Sequence, residues 1–455
     1  MIAYLLQFAG QHHLEAHRDE VGNVIIRKPA TKGFENCKTV VLQSHLDMVC
    51  EKNNDVKHDF MSDAIEAYMD GDWLRANGTT LGADNGIGIA TELAILAADD
   101  LQHGPIECVF TEDEETGMTG SEHMSADFMQ GEILLNLDSE EEGEFCIGCA
   151  GGVNTTALFS YSTVEVPASY YCFSVGVNGL TGGHSGDDIN KNRANANKLL
   201  TRFLLQLQQE MPFCLCRIDG GNLHNAIPRE AMAVCAVPMG KKEQVRILLN
   251  IFSADTEKEF CVTEPNMHWW LQSEEAQTMA IDADTTRRLL LALQACANGV
   301  FAMSQDIPGL VETSNNLASV KMKEDNGIEV LCSQRSSLSS AKQNVADAVG
   351  AVFRLAGAKV TVGDGYPGWS PNPASPILQV AIDSYRRLFG KEPIVKAIHA
   401  GLECGLLSEK YPKMDMLSFG PTMLGVHSPD ERLQVSTVEK FWLHLTDMLR
   451  HIPQR

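Results

Sequence analysis

The chain is 455 residues long and 44% apolar, enough to bury a large core and to exclude wholesale disorder. Its 36 Lys and Arg face 60 Asp and Glu, a net charge of −24 that argues against a nucleic-acid binder, whose phosphate contacts need a basic face. The same balance disfavours docking on anionic lipid, so neither nucleic acid nor membrane is an expected partner.

Thirteen Cys, an odd and scattered set, do not make a disulfide scaffold; free thiols in a reducing cytoplasm are the expectation. Cys146-Ile-Gly-Cys149 and Cys214-Leu-Cys216 lack a second pair at zinc-ribbon spacing. The opening Met-Ile-Ala-Tyr-Leu-Leu-Gln-Phe-Ala-Gly reads as the end of an amphipathic helix, too short and interrupted to span a membrane, and without the basic flank of an export signal. Residues 21–29 and 39–46 are β-branched runs between turn residues and predict strands. Apolar spacing over 86–99 predicts a helix, with Asp84 and Asn85 as its N-cap candidates. IECVF at 106–110 and ILLNL at 133–137 predict strands buried on both faces. Together they give an α/β domain with a mixed, largely parallel sheet.

From residue 153 the texture changes to alternating strands (TTALFSY, YCFSVGV, AMAVCAVP) and helices at 194–210 and 241–259. A hairpin turning at Asn326-Gly327 and a helix at 340–356 follow. This predicts an α+β domain over 153–366, with two strand–helix–strand passes but no strict repeat. The Gly- and Pro-rich GDGYPGWSPNPASP marks a boundary. Helix 377–390, strand 394–398 and helix 436–450 then return to the first domain, making it discontinuous over 1–152 and 367–455.

Five segments carry acids and imidazoles in settings suited to chemistry. His45 and Asp47 end an apolar strand, where residues two apart face the same side. Asp84 lies in a small-residue turn before a helix; no Lys-Ser/Thr or dinucleotide fingerprint follows, which removes a phosphate-binding reading and favours a cation. Glu112-Asp113-Glu114-Glu115 follows another strand, and four adjacent acids repel one another unless solvated or bound to cation. Asp138 ends a further strand, with the Glu residues after it expected to be solvated, and His427 sits in a loop before the last helix. Open α/β sheets gather ligands at the carboxyl ends of their strands. His45, Asp84, Glu115, Asp138 and His427 are the donors two zinc ions need when one carboxylate bridges, leaving Glu114 as a candidate general base.

The strings LQSHLDMV, GTTLGADNGIGIA, EDEETGM, LDSEEEGE, CAGG, GLTGGHSG, HNAIPRE, HAGLECGL and GVHSPDE resemble those of the aminoacyl-histidine dipeptidases, carnosinase-like enzymes of the di-zinc aminoacylase/carboxypeptidase superfamily. The likeness runs nearly end to end. It implies that His45, Asp84 and Asp138 hold one zinc and that Asp84, Glu115 and His427 hold the other, with manganese or cobalt able to serve instead. It further implies Asp47 as the carboxylate fixing the His45 tautomer, Glu114 as the base, and a cis bond between Asp84 and Asn85. The second domain would be a lid that pairs two subunits. There His184 would steady the oxyanion, and Asn225, Arg335 and Gly401 would contact a small peptide, Arg335 pairing with its free carboxylate. Glu403 has no assigned role, and the family pattern predicts a further helical segment ahead of the position of Met1. The implied reaction is metal-assisted hydrolysis of Xaa-His and other short dipeptides in the cytoplasm. Rival readings are a related tripeptidase or N-acyl-amino-acid deacylase and, from another class, a catalytically silent metal-stabilised binding dimer.

Overall fold

The β-branched runs near the start of the chain become the strands Val24–Lys28, Val40–His45, Ile106–Thr111 and Ile133–Asn136 in the computed structural model, which describes all 455 residues. Val40–His45 pairs parallel with both Ile106–Thr111 and Ile133–Asn136, and the latter pairs parallel with Asp415–Ser418. Every residue of the first three of these strands is buried, the pattern of parallel strands covered on both faces. The margins are antiparallel: Glu15–Arg18 on Val24–Lys28, Val24–Lys28 on Ile106–Thr111, and Ser418 opposite Cys146. The sheet is therefore mixed, with a parallel centre whose strand ends place His45 opposite Thr111 and Gln43 opposite Asn136.

Two compact units divide the chain: Met1–Cys149 with Trp369–Ala397 and Leu402–Arg455, and Ala150–Gly368 with Ile398–Gly401. The expected start and end of the second unit move outward by two or three residues, and a short later segment joins it. The second unit begins at Ala150, whose N–H donates to the carbonyls of Ile398 and Ala400 at 3.1 and 3.0 Å, and this pairing takes 398–401 with it.

In the second unit the strands His268–Ser273, Tyr170–Asn178, Ala231–Pro238 and Cys214–Gly220 form one antiparallel run, and Val311–Lys323, Gly327–Ser336, Gly151–Ser160 and Lys359–Val362 form another. The two runs join through a single pair, Gly220 with Val320. Helices Ala196–Glu210 and Ala283–Ala295 contribute Leu199, Phe203, Leu204, Leu289 and Leu293 to one continuous apolar core. Burial of each such side chain stabilises the fold by about 1.5–3 kcal/mol. The pattern reading had no element over Ala283–Ala295, whose start is capped by Asp282 accepting from Thr285 N at 2.8 Å.

One local expectation is corrected. Asp84 and Asn85 do not cap the helix that follows them; they lie inside Ala83–Ala97 with non-helical dihedrals, and the peptide between them is cis. The free N–H groups at this helix start are taken by a carboxylate from far along the chain, Glu431.

Candidate active site

His45 ends its strand almost fully buried, 1% exposed. Its Nδ1 lies 3.1 Å from the backbone oxygen of Asp47 and 3.4 Å from Asp47 Oδ1, so the two-residue spacing orients the ring. The two Asp47 oxygens also accept the N–H groups of Glu114 and Glu115, each at 3.0 Å. One carboxylate thus ties the end of one strand to the acidic turn after another. Those hydrogen bonds and His45 outweigh burial and hold the Asp47 carboxyl below its usual range.

Asp84 faces both ways. Its Oδ1 is 3.1 Å from His45 Nε2, which also lies 3.3 Å from Asp138 Oδ1. Its Oδ2 is 3.2 Å from His427 Nε2, itself 2.9 Å from Glu115 Oε2. Two groupings with donor atoms within 4.8 Å of one another result, His45–Asp84–Asp138 and Asp84–Glu115–His427, sharing Asp84. A third, His45–Glu114–Glu115, meets the same spacing. The structure therefore brings together all five predicted donors, Glu114 and Asp47.

The electrostatics show a site short of positive charge. Burial, then the charges of Asp138 and Glu403, push the Glu114 carboxyl up to about 9. Burial lifts Asp138 to about 7 despite His45 beside it. Hydrogen bonds to Asp84 and Glu115 raise the His427 imidazole to about 10. Glu115 Oε1 and Asp138 Oδ1 are buried without a hydrogen-bond donor. Acceptor-only oxygens and imidazoles, two of them otherwise unsatisfied, are the donor set that divalent cations bind.

The remaining predicted residues lie in the second unit. Gly183, before His184, has φ +123°, and a Cβ there would stand 1.9 Å from Arg193 and 2.2 Å from Asp188, so only glycine makes the turn. His184 N donates to Asp188 at 2.8 Å, and its Nδ1 lies 3.2 Å from Asp187 Oδ2. Asn225 holds this turn through its backbone oxygen, which accepts from Ser185 N at 2.8 Å. Arg335 is 5% exposed and donates to Ser185 Oγ, the Tyr366 hydroxyl and His184 Nε2 at 3.3, 3.1 and 3.4 Å. None of the three acceptors is a carboxylate. Burial and then the charge of Arg335 keep His399 neutral, down at about 4, and lower His224 as well. Gly401 packs on Tyr366, whose ring a Cβ would approach to 2.9 Å. A cavity of about 250 Å³ opens beside Arg335, His224, Ser333 and Tyr366.

Residues 41–451 match the sequence model described as Peptidase family M20/M25/M40. The chain belongs to that family. Over 452 residues it is 44% identical to the cytosol non-specific dipeptidase of Escherichia coli (strain K12), covering 99% of this chain and 93% of that protein. The aminoacylhistidine dipeptidase from Vibrio alginolyticus superposes with a TM-score of 0.92 at 43% identity, over all of this chain and 92% of the other. Aminopeptidase PepT from Bacillus cereus, at 14% identity and a TM-score of 0.58 over 99% of this chain and 92% of that one, shares the fold. As a member of the family this chain is a peptidase that uses divalent metal.

Three features of the site escaped the sequence reading. Glu403, fully buried, accepts from Gln43 Nε2, Thr111 Oγ1 and Ser121 Oγ at 2.6, 2.9 and 2.5 Å, beneath the strand ends that carry the acids. Tyr366, from the Gly- and Pro-rich boundary segment, and His399, the first residue of HAGLECGL, surround Arg335 and Gly401, and neither was singled out as a site residue. The acids after Asp138 are not all solvated: Glu142 accepts from the Tyr385 hydroxyl at 2.7 Å and Lys440 Nζ at 3.2 Å, and Glu144 pairs with Lys396.

Proposed function

We propose that this chain is a dipeptidase that cleaves Xaa-His and other short dipeptides with two zinc ions, His45, Asp84 and Asp138 holding one and Asp84, Glu115 and His427 the other. The observation that carries the reading is the division of Asp84, one oxygen toward each imidazole. Those two groupings use both imidazoles, whereas the grouping that includes Glu114 leaves His427 out. Glu114 is therefore the proton carrier. The relatives that share more than 40% of the sequence are named as dipeptidases, which supports the same substrate class.

When bound, the metal pair supplies a Lewis acid for the scissile carbonyl and makes water a nucleophile near neutral pH. Glu114 takes the proton of the attacking water and returns it to the leaving amine nitrogen. Asp47 keeps the His45 ring and the Glu114–Glu115 backbone fixed while this happens. His184 donates to the developing oxyanion, a role worth about 2.7–4 kcal/mol in other hydrolases. Arg335 pairs with the free carboxylate of the substrate, and Asn225 and Gly401 shape the surface around it. The first unit thus carries the metal ligands and the base, and the second carries His184 and the residues that read the peptide.

A homodimer formed through the second unit belongs to the same reading. So does a cytoplasmic location: none of the thirteen Cys is in a disulfide, no helix is long and apolar enough to cross a membrane, and the Escherichia coli relative is named for the cytosol. The test is hydrolysis of β-alanyl-histidine and a panel of dipeptides, tripeptides and N-acyl amino acids, before and after chelation and with metal restored. Chelator-sensitive cleavage of dipeptides is expected. Cleavage confined to tripeptides or acylated amino acids, or none at all, would overturn the proposal.

A further inference from the structure

We propose that Glu431 is a positioning residue that locks Asp84 and His427 into the spacing in which they hold metal; the inference rests on the metal-binding role proposed above for those two side chains. Glu431 is 2% exposed. Its Oε2 accepts from the backbone N–H of Leu81 and Gly82 at 2.7 and 3.0 Å, and its Oε1 from Ala83 and Asp84 at 2.8 and 3.3 Å. These are donors at and just ahead of the start of helix Ala83–Ala97, groups a helix cannot satisfy internally and that carry its positive dipole end. One carboxylate from a distant segment meets them all.

The other end of the clamp is the turn that carries His427. Glu431 N donates to Ser428 O at 3.0 Å, and Ser428 Oγ donates to Gly425 O at 2.7 Å. Within this self-bonded turn His427 holds a left-handed backbone, φ +63°. The same two segments bury Ala83, Met423 and Leu433, with Leu81 and Val426 packed on them. In such apolar surroundings a carboxylate without donors, or four N–H groups without an acceptor, would each be costly. The two turns therefore hold one another. The Asp84 N–H lies in the grip of Glu431 while its Oδ2 stands 3.2 Å from His427 Nε2, so loosening the clamp moves the shared ligand and the exposed imidazole independently.

The experiment compares the full-length wild type with Glu431→Gln and Asp430→Asn. Glutamine keeps the size but offers one acceptor oxygen in place of two. Asp430 is an exposed neighbour of the same charge and serves as the control for lost field. Two readouts are taken: hydrogen exchange of the 81–84 amides in metal-free protein, and zinc affinity by competition with a chromophoric chelator. Glu431→Gln is expected to speed exchange at 81–84 and weaken zinc binding about 10–100-fold, the range seen when groups that orient metal ligands are removed. Asp430→Asn is expected to match wild type in both. Where Glu431→Gln does not fold, Glu431→Asp, which keeps the charge but shortens the reach, makes the same comparison. Unchanged zinc affinity in the Glu431 variant, or equal weakening by Asp430→Asn, overturns the inference alone. A wild-type protein that binds no zinc overturns the metal reading and this inference with it.

Discussion

Replacing Arg335 by Lys should change which substrates the enzyme distinguishes more than whether it turns over. Arg335 is 5% exposed, and its hydrogen bonds go to Ser185, Tyr366 and His184, none of them charged acceptors of the carboxylate kind. Its neighbours His399 and His224 are pushed toward the neutral form by burial and by this guanidinium. The Asp187 carboxylate feels its charge but accepts no hydrogen bond from it, so the guanidinium is left to bond an anion that arrives with the substrate. The guanidinium fork can give a carboxylate two parallel charge-assisted bonds, each worth about 1.5–3 kcal/mol net, and an ammonium keeps the charge but not the fork. Loss of one such bond lowers kcat/KM by about 10–150-fold, since each 1.4 kcal/mol is a factor of ten. The assay measures kcat/KM for a dipeptide and for its C-terminal amide with both proteins. Arg335→Lys should lose activity on the free acid, lose little on the amide, and melt close to wild type. Equal losses on acid and amide would refute the argument, because the arginine would then be supporting the fold and not reading a carboxylate.

Glu114→Gln should retain bound zinc, measured by elemental analysis, while kcat falls about 10²–10⁴-fold; substantial retained turnover would remove Glu114 from the role of base. The metal-free protein should lose stability as pH rises from about 7 to 9, above the range in which buried neutral imidazoles such as His399 and His444 act in the opposite sense. Glu114, up to about 9, Asp138, up to about 7, and His427, up to about 10, all sit above their ordinary values, so each binds more protons folded than unfolded in that window. Asp84, held below the carboxylate range, contributes in the opposite sense only on acidification, below about pH 4. Thermal melts across pH should show this slope without metal and a flatter one with zinc; a metal-free protein that gains stability over that range would contradict these signs.

Much of the candidate site was legible because its residues share one rule: each follows a strand or opens a helix of an α/β sheet. His45 and Asp47 end a run whose periodicity names it a strand, and parallel pairing to Ile106–Thr111 and Ile133–Asn136 delivers Glu114, Glu115 and Asp138 to the same end. Chain order and residue type sufficed to gather these. The second unit was harder. Arg335 lies on a strand whose neighbours are Ser314 and Gly152, and no local pattern says that Tyr366 and His184 meet its guanidinium. The helix beginning at Ala83 shows the same limit: its nearest polar residues looked like caps, yet its donors are satisfied by a residue nearly 350 positions away.

The 60 acids thus divide between solvated surface and a few buried carboxylates with fixed tasks. By itself the sequence determined the periodicities, the candidate donors and the family, because backbone conformation and ligand chemistry depend on residue type and short-range spacing. Only the tertiary structure decided how buried polar groups are satisfied: Glu403 under the strand ends, Glu431 on the Asp84 turn, Tyr366 on Arg335. A buried donor or acceptor must find a partner once water is excluded, and which one it finds depends on how distant segments cross, which no local pattern encodes.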